Sequence, residues 1–318
     1  GGFVFTEGGL VHAVYSFAPL ALSCDVTVVC PNVAPGSEGR AYDFRGVRTT
    51  CPAAVSLPGW MRPGELSFTE RRLATLLLGP TAVANYSRIV QDTRRMHPDV
   101  VLASGVFASF LLSRHRKETP VIAVIHHLYH DARTTGSPAS TGGLTARLER
   151  LLLRRLSVDG VAVVNPAVRR RLIELGMDPE RVVCVGNGVD VNQYAYAPAK
   201  EGMRLTFVGR LRRLKCVDRV IDAFAIVHRA KPEAVLHIAG DGPMRRSLER
   251  QADSLGLAGS VVFHGFLPED AKVALLQSSS VYLSASEFEG FGIPLVEAMA
   301  TGTVPVASDI PSHGFIFQ

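Results

Sequence analysis

Residues 284–305 read SASEFEGFGIPLVEAMATGTVP, and the fold class is decided by how that stretch is read. The apolar run before it, residues 281–283, has the length of a buried strand. Glu287, Phe288, Glu289, Gly290, Phe291 and Gly292 follow as a loop that bends at its two glycines. Pro294 suits the first turn of a helix, where its missing N–H is no loss. The spacing therefore predicts a helix over residues 293–300, ended by Gly302. Glu289 then sits in the loop, and Glu297 about one turn into the helix. The unpaired amides and positive dipole end of that helix face the same space. Such a site suits a phosphate at the amides, with one carboxylate beside each end of the ligand. Spacing alone does not separate this arrangement from two surface glutamates near a helix cap.

The same strand–loop–helix unit recurs on both sides. Strands are expected at residues 25–30, 100–104, 121–125, 161–164, 182–185, 205–208, 235–239 and 261–263, with helical spacing at 68–78, 83–96, 107–115, 144–156, 166–175, 220–227 and 268–278. Strands alternating with helices imply parallel sheets, and 318 residues suggest two domains. Residues 191–203 form a polar, proline-containing linker, which places the boundary between domains 1–190 and 191–318. Residues 34–65 read as loop with short strands, and residues 132–143 as a mobile flap.

Composition narrows the class. A 47% hydrophobic, 20% charged chain is ordinary for a soluble enzyme, and no apolar run reaches the roughly 18 residues of a membrane helix. Five scattered cysteines with no C-x-x-C pair argue for a reducing cytoplasm, and against a disulfide or zinc framework. The net charge of +5 fits an anionic donor or a membrane face. Nucleic-acid binding is disfavoured, because no recognition-helix, RNP or zinc-finger pattern is present. All but five of the 34 Lys+Arg residues are arginine, and residues 144–156 form an arginine-rich amphipathic pattern. It suits an anionic acceptor or membrane surface, although a solvated face is the commoner outcome.

Three further clusters stand at strand ends. Gly8-Gly9 precedes an apolar stretch, and amides at such a turn approach a phosphate closely. His126 and His127 follow residues 121–125, at the end of a strand where ligands gather in open parallel sheets; no carboxylate or cysteine spacing completes a metal site around them. Arg210 and Lys215, five apart after residues 205–208, suit a diphosphate clamp, the arginine as a fork and the lysine as a point charge. Gly240-Asp241-Gly242 is not a dinucleotide fingerprint, since position 245 is Arg.

The run EGFGIPLVEAMATGTVPVAS resembles the E-x7-E motif of the retaining nucleotide-sugar glycosyltransferases of family 4, with Glu289 and Glu297 as its glutamates. Gly209-Arg210-Leu211 with Lys215 resembles that family's Gly-Arg-Leu and Lys-Gly pattern, with Cys216 where glycine is usual. Residues 187–190 resemble its Asn-Gly-Val-Asp hinge, and His126 its strand-end histidine, with His127 replacing the usual second residue. The resemblance implies the GT-B arrangement: two Rossmann-like α/β domains with parallel sheets facing a cleft. The acceptor would bind residues 1–190, and a UDP- or GDP-sugar donor residues 191–318.

The resemblance also implies roles. Arg210 and Lys215 would neutralise the leaving diphosphate, with the amides after Gly292 assisting and Gly9 close to donor or acceptor. Glu297 would hold the ribose and Glu289 the transferred sugar, His126 would lie beside the reacting carbon, and the backbone at Phe266 would receive the base. Phe291 belongs to the donor loop. Neither metal nor cofactor is expected, and the oligomeric state is not read from the sequence. Family members continue beyond the Ile310-Pro311 turn into a further strand and a long C-terminal helix, so segments are expected to be missing from this chain. A nucleotide-sugar epimerase, a phosphorylase or a non-catalytic nucleotide-sugar binder on the same scaffold are the alternatives. A dehydrogenase is disfavoured by the absent fingerprint.

Overall fold

The computed structural model describes residues 27–29, 41–44, 47–50, 90–91, 93, 95, 97–113, 116, 119–128 and 142–318. The glycine pair at Gly8-Gly9, the helix expected over 68–78 and most of the flap expected at 132–143 lie outside these residues. Gly142 and Gly143 of that flap instead open a helix, α2 below.

The chain divides into two compact units: residues 1–125, 148–162 and 172–183 form one, and residues 126–147, 163–171 and 184–318 the other. Among the described residues of the early chain, β1 (Thr27–Val29), β2 (Ala41–Phe44) and β3 (Val47–Thr50) make a small sheet of order β1-β3-β2. A second sheet has the order β4 (Val101–Ser104), β5 (Val121–Ile125), β6 (Gly160–Val163), β7 (Val182–Cys184), with β4 and β5 parallel. Between these strands run α1 (Val106–Leu112), α2 (Gly142–Arg154) and α3 (Pro166–Glu174). The strands read as apolar runs because they are buried: Val121, Ala123 and Ile125 are almost wholly inaccessible.

The third sheet carries the site. Its order is β10 (Val261–Gly265), β9 (Val235–Ala239), β8 (Arg204–Val208), β11 (Val281–Ser284), β12 (Val304–Ala307), and every pair is parallel. Its helices are α4 (Val217–Ala230), α5 (Arg245–Ser254), α6 (Glu269–Ser278), α7 (Ile293–Ala300) and α8 (Pro311–Ile316). Phe207, Leu236 and Ile238 pack with Val220, Ile221, Phe224 and Leu248 in one core cluster. Tyr194, Val273, Leu276, Tyr282, Leu295 and Ala298 form another. Lys200 ties two helix ends of that second cluster together. Its Nζ donates to the carbonyls of Gln277 at 3.0 Å and Thr301 at 2.9 Å, where a cation meets the negative ends of α6 and α7. No helix among the described residues is long and apolar enough to cross a membrane.

Away from the site edge, His237 on β9 and His264 on β10 stack, with Nδ1 of the first 2.8 Å from Nε2 of the second. Burial, then the nearby Arg204 cation and the partner ring, push His237 down to about 4, while Glu201 pulls weakly the other way. Burial and Arg204 also lower His264. A depressed histidine leaves stability complete above its unfolded value near 6.5 and removes it as pH falls from there towards 4. Allowing for solvent screening of a half-buried pair, a loss of about 1–2 kcal/mol over that range is expected. Urea denaturation from pH 7 to 4 reads it, and His237→Gln should flatten the profile.

Candidate active site

All five strands of the third sheet point the same way, so their carboxyl-end loops share one edge. Those loops carry Arg210 after β8, Gly240-Asp241-Gly242 after β9, Phe266 after β10 and Glu289 after β11.

The β8 loop is built against the β9 loop. Leu211 N–H donates to the Asp241 carbonyl at 2.9 Å, and Met244 N–H to the Leu211 carbonyl at 3.1 Å. A Cβ at Gly240 would stand 1.9 Å from the Gly209 carbonyl oxygen, and Gly240 has φ +136°. Only glycine allows this approach. The Gly-Asp-Gly segment, which is no dinucleotide fingerprint, therefore seats the loop that holds Arg210. The Arg210 side chain is exposed and makes no ion pair or hydrogen bond among the described residues.

A short 3-10 turn, Arg213–Lys215, brings Lys215 to the start of α4. Cys216, in the expected glycine position, takes the left-handed conformation at φ 45°, ψ 46°. The backbone thus keeps a glycine-like shape despite the side chain, at a strain of about 1 kcal/mol. The Cys216 thiol is buried, which raises its pKa, and Glu287 adds to that effect.

The sequence placed Lys215 on the diphosphate and Glu289 on the sugar; the structure pairs the two directly, Lys215 Nζ with Glu289 Oε1. Ser286 Oγ also donates to that oxygen at 2.8 Å. Behind this loop, Asn165 Nδ2 donates to the Gly290 carbonyl, and Asn165 Oδ1 accepts from the Val168 N–H at 2.9 Å. A Cβ at Gly290 would lie 2.8 Å from the His126 carbonyl. Within one compact unit, the backbone of His126 is therefore against the Glu289 loop.

Gly292, at φ 105°, N-caps α7, and Pro294 opens it. The helix ends as the sequence predicts, with Gly302 just beyond at φ 78°. Fewer amides are open for an anion than an unobstructed helix start would give. Pro294 has none, and Leu295 N–H is spent on the Gly292 carbonyl at 2.9 Å. Phe291 is buried and packs edge-on to Phe315. Phe266, by contrast, is 80% exposed at the same sheet edge. Glu297 lies in α7 and is 4% exposed. Its Oε1 accepts from Lys272 Nζ at 2.8 Å and from Tyr194 OH at 2.8 Å, whereas its Oε2 is buried with no hydrogen-bond partner among the described residues.

Residues 8–193 match the model described as Glycosyltransferase Family 4, and residues 193–317 that described as Glycosyl transferases group 1. The chain belongs to glycosyltransferase family 4, and its fold is GT-B. It is 27% identical over 192 residues to a mannosylfructose-phosphate synthase of Agrobacterium fabrum, a match covering 54% of this chain and 42% of that one. Sucrose-phosphate synthase from Thermosynechococcus elongatus superposes with a TM-score of 0.73 at 17% identity, over 99% of this chain and 77% of that one. Anabaena HepE, solved in complex with UDP and glucose, gives 0.60 at 21% identity, over 73% of this chain and 64% of that one.

Proposed function

We propose that the protein transfers a sugar from a nucleoside diphosphate sugar to a hydroxyl acceptor with retention at the anomeric carbon, residues 1–190 serving the acceptor and 191–318 the donor. The observation that carries this reading is Glu297. A carboxylate oxygen buried without a partner costs about 1–3 kcal/mol, and a ligand hydroxyl would remove that cost. Glu297 lies in α7, the helix that follows the loop of Glu289, and that loop is paired through Glu289 with Lys215, while the β8 loop carries an uncommitted Arg210.

In this reading Arg210 and Lys215 hold the diphosphate and meet the charge that grows on it as the glycosidic bond breaks. The Gly292 backbone, and that of Gly9 in the first domain, add dipoles near the phosphates. Phe266 offers an exposed ring or backbone to the base, and the backbone of Phe291 closes the donor loop. Glu289, released in part from Lys215 when the phosphates arrive, holds hydroxyls of the transferred sugar. His126 lies beside the reacting carbon. The leaving phosphate takes the acceptor proton on the same face, so the reaction is assigned neither a metal nor a cofactor. The protein would work in the cytoplasm on a lipid-linked or small acceptor, with peripheral membrane contact and no nucleic-acid partner.

The test is incubation with UDP- and GDP-sugars, with and without sugar, lipid and polyol acceptors, followed by proton NMR of the anomeric signal. An α-linked donor should give an α-linked product and free nucleoside diphosphate. Conversion of the donor without acceptor would mark an epimerase instead, and tight nucleotide binding without turnover would mark a binder.

A further inference from the structure

Behind Glu297 lies a polar group that no motif in the sequence announces. Asp190 opens a turn: its Oδ1 accepts from Asn192 N–H at 3.0 Å and its carbonyl from Tyr194 N–H at 2.8 Å. The turn delivers Tyr194 into the core at 4% exposure. The Tyr194 hydroxyl faces two carboxylates, Glu297 at 2.8 Å and Glu269 at closer range. Lys272, one helical turn along α6 from Glu269, places Nζ 2.8 Å from Glu297 Oε1 and 3.1 Å from Glu269 Oε1. The same ammonium lies 5.2 Å from the centre of the Tyr194 ring. Burial and both carboxylates hold the Tyr194 phenol far above its usual range, so it stays a donor.

This set is lopsided. Both donors converge on Oε1 of Glu297, and none of the described residues reaches Oε2. A bidentate arrangement would have used both oxygens, as arginine forks do. Charge is lopsided too: one ammonium faces two carboxylates, so the group as a whole is negative. A phosphate brought to Oε2 would be repelled, whereas an uncharged hydroxyl would be welcomed as a donor. Lys272 also offsets part of the cost of holding the Glu297 carboxylate away from water. Oε2 is itself shielded from solvent.

We infer that Lys272, Tyr194 and Glu269 are positioning residues for Glu297: they occupy Oε1, leave Oε2 as the sole acceptor, and so select an unphosphorylated vicinal diol, the ribose of the donor. This rests on the proposed nucleotide-sugar reading of the same site.

The experiment measures Kd by titration calorimetry, on the full chain, for UDP, GDP and their 2′,3′-dideoxy counterparts. The unsubstituted protein should favour the ribonucleotide by about tenfold or more, the worth of a hydrogen bond to a charged group. Lys272→Met should weaken ribonucleotide binding about tenfold but dideoxynucleotide binding by less than about twofold, collapsing the ratio. Lys272→Arg should keep most of the ratio. Tyr194→Phe removes one hydroxyl only, and should lower the ratio about threefold even if the lysine variant folds poorly. Equal losses on both nucleotides, or no loss, would overturn the positioning role alone. Equal affinity of the unsubstituted protein for both sugars, or no binding of UDP or GDP, would overturn the ribose role of Glu297 and this inference with it.

Discussion

Arg210→Ala is expected to lower turnover by about 100–1,000-fold, the range found when one preorganised donor to a developing negative charge is removed. The argument is structural as well as chemical. The side chain is exposed and holds no other group in place among the described residues. Its removal should therefore leave the melting temperature within about 1–2 °C of the parent, as for surface changes generally. Steady-state rates with the best donor, alongside a melting curve, separate the two effects. Arg210→Lys should recover little, because an ammonium does not reproduce the two-pronged contact of a guanidinium with a phosphate. Unchanged turnover in the alanine variant would remove Arg210 from the donor site.

Gly240→Ala should have the largest effect on the folded state. The new methyl would need the space of the Gly209 carbonyl oxygen, 1.9 Å away, and the residue would sit at φ +136°. The Gly209 backbone is itself tied to β9, its N–H donating to the Ala239 carbonyl at 2.9 Å, and the Leu211-to-Asp241 hydrogen bond joins the two loops just beyond it. A cost of about 3 kcal/mol or more follows, which corresponds to a melting temperature lower by roughly 6–12 °C for a domain of this size. Activity should fall with it, since the displaced loop carries Arg210. A melting curve within about 1 °C of the parent would contradict the packing described between these loops.

What the sequence made legible follows from burial. Residues 121–125, 235–239 and 293–300 match their elements because unbroken apolar runs, glycines and a proline mark them locally. Helix α5 escaped notice because only Leu248 and Ala252 of its ten residues are buried, too few to set a period. Around the two glutamates, the placement of Glu289 in a loop and of Glu297 in the following helix was legible from the glycines and the proline. Their surroundings were not. Tyr194 and Lys272 reach Glu297 from 103 and 25 residues away along the chain, on elements whose local pattern is that of ordinary core and surface. Gly240 was read only as part of a segment that is no dinucleotide fingerprint, because its reason, the carbonyl of Gly209, belongs to another loop. The packing of the Phe291 ring was not legible either: it is buried edge-on to Phe315, a partner 24 residues further along the chain. The Lys215–Glu289 pair was hidden for a different cause: each side chain was assigned to a ligand, and nothing local shows that residues 74 apart along the chain meet.

The central claim is that the donor's diphosphate and ribose are held by the third sheet's carboxyl-end loops and by α7. A crystal structure with UDP or GDP, whichever binds more tightly, tests it most directly. It should show phosphate oxygens within hydrogen-bonding distance of Arg210 and Lys215, and a ribose hydroxyl on Glu297 Oε2. A nucleotide bound away from these residues, or in place with Glu297 still unpartnered, would contradict the account.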